Sequence, residues 1–163
     1  MQNWMIYGAN GYTGELIARE AVVRGLRPIL AGRRAAAVAA LAAELGLPHR
    51  VFSTEASDLA KVGLVLNCAG PFSATAAPMM QACLRAGAHY LDITGEIDVL
   101  EYAQTLSAAA RSAGVVFCPG VGFDVIPTDC VALALVEALP NATHLALGFE
   151  TSGSMSPGTA KTR

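Results

Sequence analysis

The chain has 163 residues, of which 53% are apolar and 15% charged, and its formal net charge is −2. So few charges among so many apolar side chains exclude a disordered segment, and the weak negative balance gives no basic field for nucleic acid or an anionic membrane surface. One domain is expected, large enough to bury a core without staples and apolar enough to imply a covering partner surface, as in a homo-oligomer.

Cys68, Cys83, Cys118 and Cys130 form no C-x-x-C pair and have no histidine at zinc-ligand spacing. Buried, reduced thiols are therefore expected, and no metal site. Met1 is followed by no basic segment with an unbroken apolar run, and the longest apolar stretches, such as residues 35–43, are too short to span a bilayer. A cytoplasmic chain is the expectation.

Short β-type runs alternate with helical patterns from the first residues onward. Residues 3–7 are predicted as a strand and 12–24 as an amphipathic helix. A strand at 27–31 precedes an alanine-rich helix at 34–45 that Gly46 ends, and a brief strand at 50–52 leads into the polar "STEASDLAK". Residues 62–67 are nearly all apolar, as a strand covered on both faces must be. A helix is predicted from Pro78 to Arg85, a strand at 88–93, and one helix over 98–112 stopped by Gly114. A strand at 115–118, a helix at 127–139 and a strand at 143–150 complete the pattern. This alternation predicts an α/β fold with a doubly wound, mostly parallel sheet. From Thr151 the composition turns to Ser, Gly, Thr and Pro, so residues 1–150 are read as the domain and 151–163 as a linker or the start of a further, truncated one.

Gly8, Gly11 and Gly14 stand three apart between the first strand and the first helix. A tight turn there needs backbone angles that a side chain disfavours, and a pyrophosphate can approach only where Cβ is missing. The unpaired N–H groups opening the helix then point at the phosphates. The second strand selects the dinucleotide. A carboxylate near its end would bind the ribose 2′-hydroxyl, but the strand runs into "AGRR", and Arg33 and Arg34 suit a 2′-phosphate. NADP(H) is therefore the expected cofactor. "LNCAGPF", residues 66–72, ends the fourth strand near the switch point of such a sheet, where Gly70 and Pro71 would shape a loop beside the cofactor.

"GANGYTG", "AGRR", "NCAGPF", "HYLDITGE" and "GFDVIPTD", in this order, resemble the NADP-binding half of the saccharopine dehydrogenase-like oxidoreductases, a group that includes trans-acting enoyl reductases. The resemblance covers about residues 3–150. It implies a Rossmann domain in which Gly8, Asn10, Gly11, Tyr12, Thr13 and Gly14 hold the pyrophosphate. It further implies that Arg33 and Arg34 take the 2′-phosphate and that Ala69, Gly70 and Pro71 line the nicotinamide ribose. "DITGE" (residues 92–96) and "PGVGFD" (residues 119–124) would border the cleft towards a small-molecule or lipid-linked substrate. Members of the family continue well beyond 163 residues, so the substrate domain is expected to be largely absent here.

Hydride transfer is the cofactor's chemistry, to which a protein adds position and often a proton donor. Asp92 and Glu96 are the candidate acids. Their alternative roles are a turn, with Asp92 satisfying backbone N–H groups and Glu96 capping the helix that starts near Asp98. Asp124, Thr128 and Asp129 fit helix capping, and His89 a structural role. A short-chain dehydrogenase mechanism needs a tyrosine with a lysine four residues later. Tyr7, Tyr12, Tyr90 and Tyr102 all lack it. A non-catalytic, redox-sensing or regulatory NADP-binding module is the alternative to an enzyme.

Overall fold

The computed structural model describes residues 3–56, 58–123 and 125–148. Asn3–Tyr7 (β1) divides its side chains between two cores, Met5 and Tyr7 entering one and Ile6 the other. An apolar strand buried on both faces must do this, because successive side chains point to opposite sides. Val62–Asn67 (β4) lies beside it, with Tyr7 opposite Asn67 at the strand ends. Ile29–Gly32 (β2), His49–Val51 (β3), His89–Asp92 (β5) and Phe117–Cys118 (β6) complete a six-stranded sheet. Its order is β3-β2-β1-β4-β5-β6 and every pairing is parallel.

Tyr12–Val23 (α1) and Ala35–Leu45 (α2) cover one face, where Ala18, Val38 and Leu41 pack with Ile6 and Leu30. Phe72–Ala86 (α3) and Ile97–Thr105 (α4) cover the other, where Met79, Met80 and Val99 join Met5, Val65 and Tyr90. Ser107–Ser112 (α5) and Ile126–Ala138 (α6) follow. Gly46 and Gly87 end α2 and α3 in the left-handed conformation, at φ +64° and +67°. In both, the next residue's N–H returns into the last turn, Leu47 to the Ala42 carbonyl and Ala88 to that of Cys83, so the glycine stops read from sequence work as expected.

The departures from the sequence reading have local causes. Helix α3 starts at Phe72, six residues before Pro78, because its cap comes from a distant side chain and no local signal marks the start. Pro78 is tolerated inside it, with Ala74, whose carbonyl loses its partner, on the exposed side. The single helix expected over 98–112 is two, α4 and α5. The turn tightens between them, with Leu106 N–H bonded to the Ala103 carbonyl and the Thr105 hydroxyl to that of Tyr102 at 2.6 Å. The strand expected at 143–150 is absent over 143–148, and β6 is the sheet's edge. Asp124, residues 149–150 of that strand and the 151–163 segment lie outside the described residues.

Of the four thiols expected to be buried, Cys83 is and Cys68 is half-buried, but Cys118 and Cys130 are exposed. Cys118 ends the edge strand, and Cys130 lies on α6, none of whose residues is buried. The carboxyl ends of β1 and β4, neighbours in the sheet but not in the chain, mark the point where a doubly wound sheet opens its ligand crevice.

Candidate functional site

The chain leaves β1 through a turn that requires glycine. Gly8 has φ +80°, and a Cβ there would stand 2.7 Å from the Ala69 nitrogen at the end of β4. Its N–H and that of Ala9 bond to the Ala31 carbonyl at 2.8 and 3.1 Å, tying the turn to β2. Gly11 closes the turn, donating to the Gly8 carbonyl at 2.9 Å, and is the N-cap of α1 without any side-chain cap. The opening amides of α1 therefore lack both helical acceptors and a capping side chain. Gly11, Tyr12 and Thr13 line a cleft of about 690 Å³. Gly14 does not line it. A Cβ on Gly14 would overlap the Gly8 carbonyl oxygen, so this glycine lets α1 pack on the turn.

The end of β2 forms the second wall, with Gly32, Arg33 and Arg34. Both guanidinium groups are on exposed residues. Arg34 is engaged: its Nη2 donates to the Asn10 carbonyl oxygen at 3.3 Å. With the Asn10 amide turned to put its oxygen towards Arg34, that oxygen also accepts from Nη2 at 2.6 Å and Nε at 2.9 Å. Arg33 acts on Tyr7 and Glu55 electrostatically. The Glu55 carboxyl is held below its ordinary range mainly by its own backbone N–H and the Ser53 hydroxyl, with a smaller contribution from Arg33. Burial pushes the Tyr7 phenol up, and its hydroxyl donates to the Phe52 carbonyl at 3.3 Å.

Cys68, Ala69, Gly70 and Pro71 form the third wall. Asn67, fully buried beneath it, accepts from the Ala69 N–H at 3.0 Å and donates to the Thr75 and Tyr90 hydroxyls, each at 3.3 Å. Thr75 in turn donates to the Ala69 carbonyl. Burial, and then the Asp92 charge, push the Cys68 thiol up to about 12, so it stays protonated and is no nucleophile at neutral pH.

Neither candidate acid lines the cleft. Asp92 is fully buried and accepts from the Tyr90 hydroxyl at 2.7 Å, the Thr94 N–H at 3.0 Å and the Gly120 N–H at 2.8 Å. This is the turn-forming role, extended across to the segment after β6. Glu96 accepts from the Phe72 and Ser73 N–H groups at 2.8 and 2.7 Å, so its side chain caps α3 and not the helix that follows it. Sequence proximity suggested the wrong helix. His89 takes the Val116 N–H on Nδ1 at 2.9 Å, a bond within the sheet edge.

Ten of the residues implied by resemblance meet in this one cleft: Gly8, Asn10, Gly11, Tyr12, Thr13, Arg33, Arg34, Ala69, Gly70 and Pro71. Tyr7, Gly32 and Cys68 also line it. The sequence assigned them no role, although Gly32 lies within "AGRR", Cys68 within "NCAGPF" and Tyr7 directly before "GANGYTG". Among the described residues, no group of three His, Cys, Asp or Glu could hold a metal ion, and no helix is long and apolar enough to cross a membrane.

Known proteins agree with this geometry. The sequence family described as the saccharopine dehydrogenase NADP binding domain matches residues 4–118. The saccharopine dehydrogenase-like oxidoreductase of Homo sapiens is 30% identical over 150 residues, spanning 77% of this chain and 35% of that one. A Mycobacterium tuberculosis protein named as a trans-acting enoyl reductase is 30% identical over 147 residues, spanning 82% and 35%. The chain thus spans about a third of the length of these relatives. Among solved structures, apo saccharopine dehydrogenase (L-Glu forming) of Saccharomyces cerevisiae superposes with a TM-score of 0.72 at 16% identity, over 87% of this chain and 32% of that one. GenD2 from gentamicin A biosynthesis, solved in complex with NAD, gives 0.58 at 25% identity, over 82% and 38%. The doubly wound sheet, the glycine turn at its switch point and this match place the chain in the saccharopine dehydrogenase family, as its NADP-binding Rossmann domain.

Proposed function

We propose that the cleft between the ends of β1, β2 and β4 is the seat of NADP(H) in an oxidoreductase that exchanges a hydride with a small-molecule or lipid-linked substrate. One observation carries the reading: α1 presents an uncapped N-terminus, opened by glycines, into a cleft of about 690 Å³, within the range of ligand sites. A diphosphate fits that donor set, since Gly8 and Gly11 present no Cβ and the Tyr12 and Thr13 amides supply N–H groups. Arg33 stands exposed at the β2 end, where its fork suits a 2′-phosphate, while Arg34 holds the turn through Asn10. The 69–71 wall then flanks the nicotinamide ribose.

When bound, the nicotinamide supplies the hydride; the described residues supply binding and orientation. No carboxylate or imidazole of the described residues lines the cleft, whose hydroxyl groups come from Tyr7, Tyr12 and Thr13. The same observation suits a non-catalytic, redox-sensing module. Turnover with bound NADPH in the presence of substrates of relatives separates the two.

Calorimetric titration of NADPH and NADH into the chain tests the site. NADPH binds more tightly, and Arg33→Ala removes most of that preference, about tenfold or more for the loss of a charge-assisted pair. Equal losses for both dinucleotides would overturn the 2′-phosphate role, and binding of neither would overturn the cofactor site.

A further inference from the structure

Glu96 stands apart from the machinery so far described, yet it holds one wall of the cleft. Its two carboxylate oxygens take the N–H groups of Phe72 and Ser73, the two residues directly after Pro71. The N-cap of α3 is Pro71 and no side chain of its own region caps it. The helix macrodipole and both charge-assisted bonds favour an anion there. Where α1 leaves its N-terminus open to the cleft, α3 has its own filled from within the protein.

Glu96 is itself held from a buried platform. Its N–H donates to the Thr94 hydroxyl at 3.0 Å, and the Thr94 N–H to Asp92 at 3.0 Å. Thr94 and Asp92 are both fully buried. The same Asp92 accepts from Tyr90, whose hydroxyl accepts from Asn67, which accepts from the Ala69 N–H. The cleft wall at 69–71 is therefore gripped at both ends, Ala69 through Asn67 and Pro71 through α3 and Glu96. Both grips are rooted in the end of β5. Among the described residues, none of these groups bonds to Gly11, Thr13, Arg33 or Arg34 in the opposite half of the cleft.

We infer that Glu96 is a positioning residue for the nicotinamide half of the cofactor cleft, setting the 69–71 wall through the first two amides of α3 and leaving the adenosine half untouched. This rests on the NADP(H) reading and adds a polarity to it. Losing the carboxylate frees the start of α3 and loosens the wall, so ligands that reach the wall lose affinity and ligands that stop short of it do not.

The experiment compares NADPH with 2′,5′-ADP, which carries the phosphorylated adenosine and lacks the nicotinamide half. Wild-type, Glu96→Ala and Glu96→Gln chains are titrated with each, and the emission of bound NADPH is recorded. Glu96→Ala is expected to weaken NADPH about tenfold or more, the loss of one to two charge-assisted bonds. Its 2′,5′-ADP affinity stays within about twofold, a span too small to register a lost contact. The NADPH emission shifts, because the ring environment changes. Glu96→Gln, which keeps one acceptor oxygen, recovers part of the NADPH loss and serves alone if the alanine variant does not fold. Parallel losses for both ligands would show a merely structural role and overturn the proposal, as would unchanged affinity for both. A wild-type chain that binds neither ligand would overturn the cofactor reading itself, and the proposal with it.

Discussion

The Gly8 carbonyl oxygen occupies the space that a Cβ on Gly14 would need. Helix α1 can close on the turn that feeds it only because position 14 carries no side chain, and the same oxygen is the acceptor for the Gly11 N–H. Helix propensity alone predicts that Gly14→Ala stabilises by about 1 kcal/mol. The collision with backbone reverses the sign. We expect destabilisation of about 1–3 kcal/mol, typical of overpacking, and an accompanying loss of NADPH affinity as α1 shifts. Chemical denaturation of the variant measures it, and an increase in midpoint would refute the contact.

Arg34 and Arg33 are adjacent but differently employed. Arg34 donates to the Asn10 carbonyl and, with the Asn10 amide turned, to its side-chain oxygen, within the glycine turn. Arg34→Ala should therefore weaken NADH and NADPH together, by about tenfold for the loss of its charge-assisted bonds to Asn10, as the turn loosens. A loss confined to NADPH would assign Arg34 to the 2′-phosphate instead.

The cysteines divide by exposure. Cys118 and Cys130 are exposed, whereas burial pushes the Cys68 and Cys83 thiols up to about 12. An aromatic disulfide reagent at neutral pH should label two thiols of the native chain rapidly and all four after denaturation. Rapid native labelling of Cys68 would mean that the cleft wall opens.

These raised thiols also set a pH dependence. Below the ordinary thiol value of 9.0 both states keep the protons and nothing is gained or lost. Above it the unfolded chain releases protons that the folded chain retains, so stability falls with rising pH until about 12. Each thiol contributes a slope of up to about 1.4 kcal/mol per pH unit. The Tyr90 phenol, raised by burial and by Asp92, acts in the same sense at higher pH. Cys83→Ala or Cys68→Ala should each flatten the decline measured by urea denaturation between pH 9 and 11, within the window set by the shifted thiols. An unchanged slope in both variants would show the thiols to be solvated.

Helix α6 is apolar in composition but buries nothing: Val131, Leu133 and Val136 are 52%, 61% and 56% exposed. Exposed apolar area of this kind drives association. The chain should self-associate, and Leu133→Glu should lower its mass by light scattering towards that of a monomer. A monomeric wild-type chain would refute it.

The sequence was sufficient wherever a signal is local. The apolar run at 62–67, the glycine stops at 46 and 87, and the turn "GANGYTG" each act within a few residues, so strand, helix end and glycine turn could be read directly. "AGRR" placed two guanidinium groups at the cleft because a strand of known direction must deliver its end there. Only the folded chain showed what is joined across distance. Glu96 reaches back 24 residues to cap α3, Asp92 forward 28 to Gly120, and Arg34 back 24 to Asn10. A side chain near a helix start reads as that helix's cap, and a carboxylate at a strand end reads as a catalytic acid. Which donors each carboxylate meets is set by parallel strands that bring distant loops to one edge of the sheet, and that adjacency has no period or spacing in the sequence to betray it.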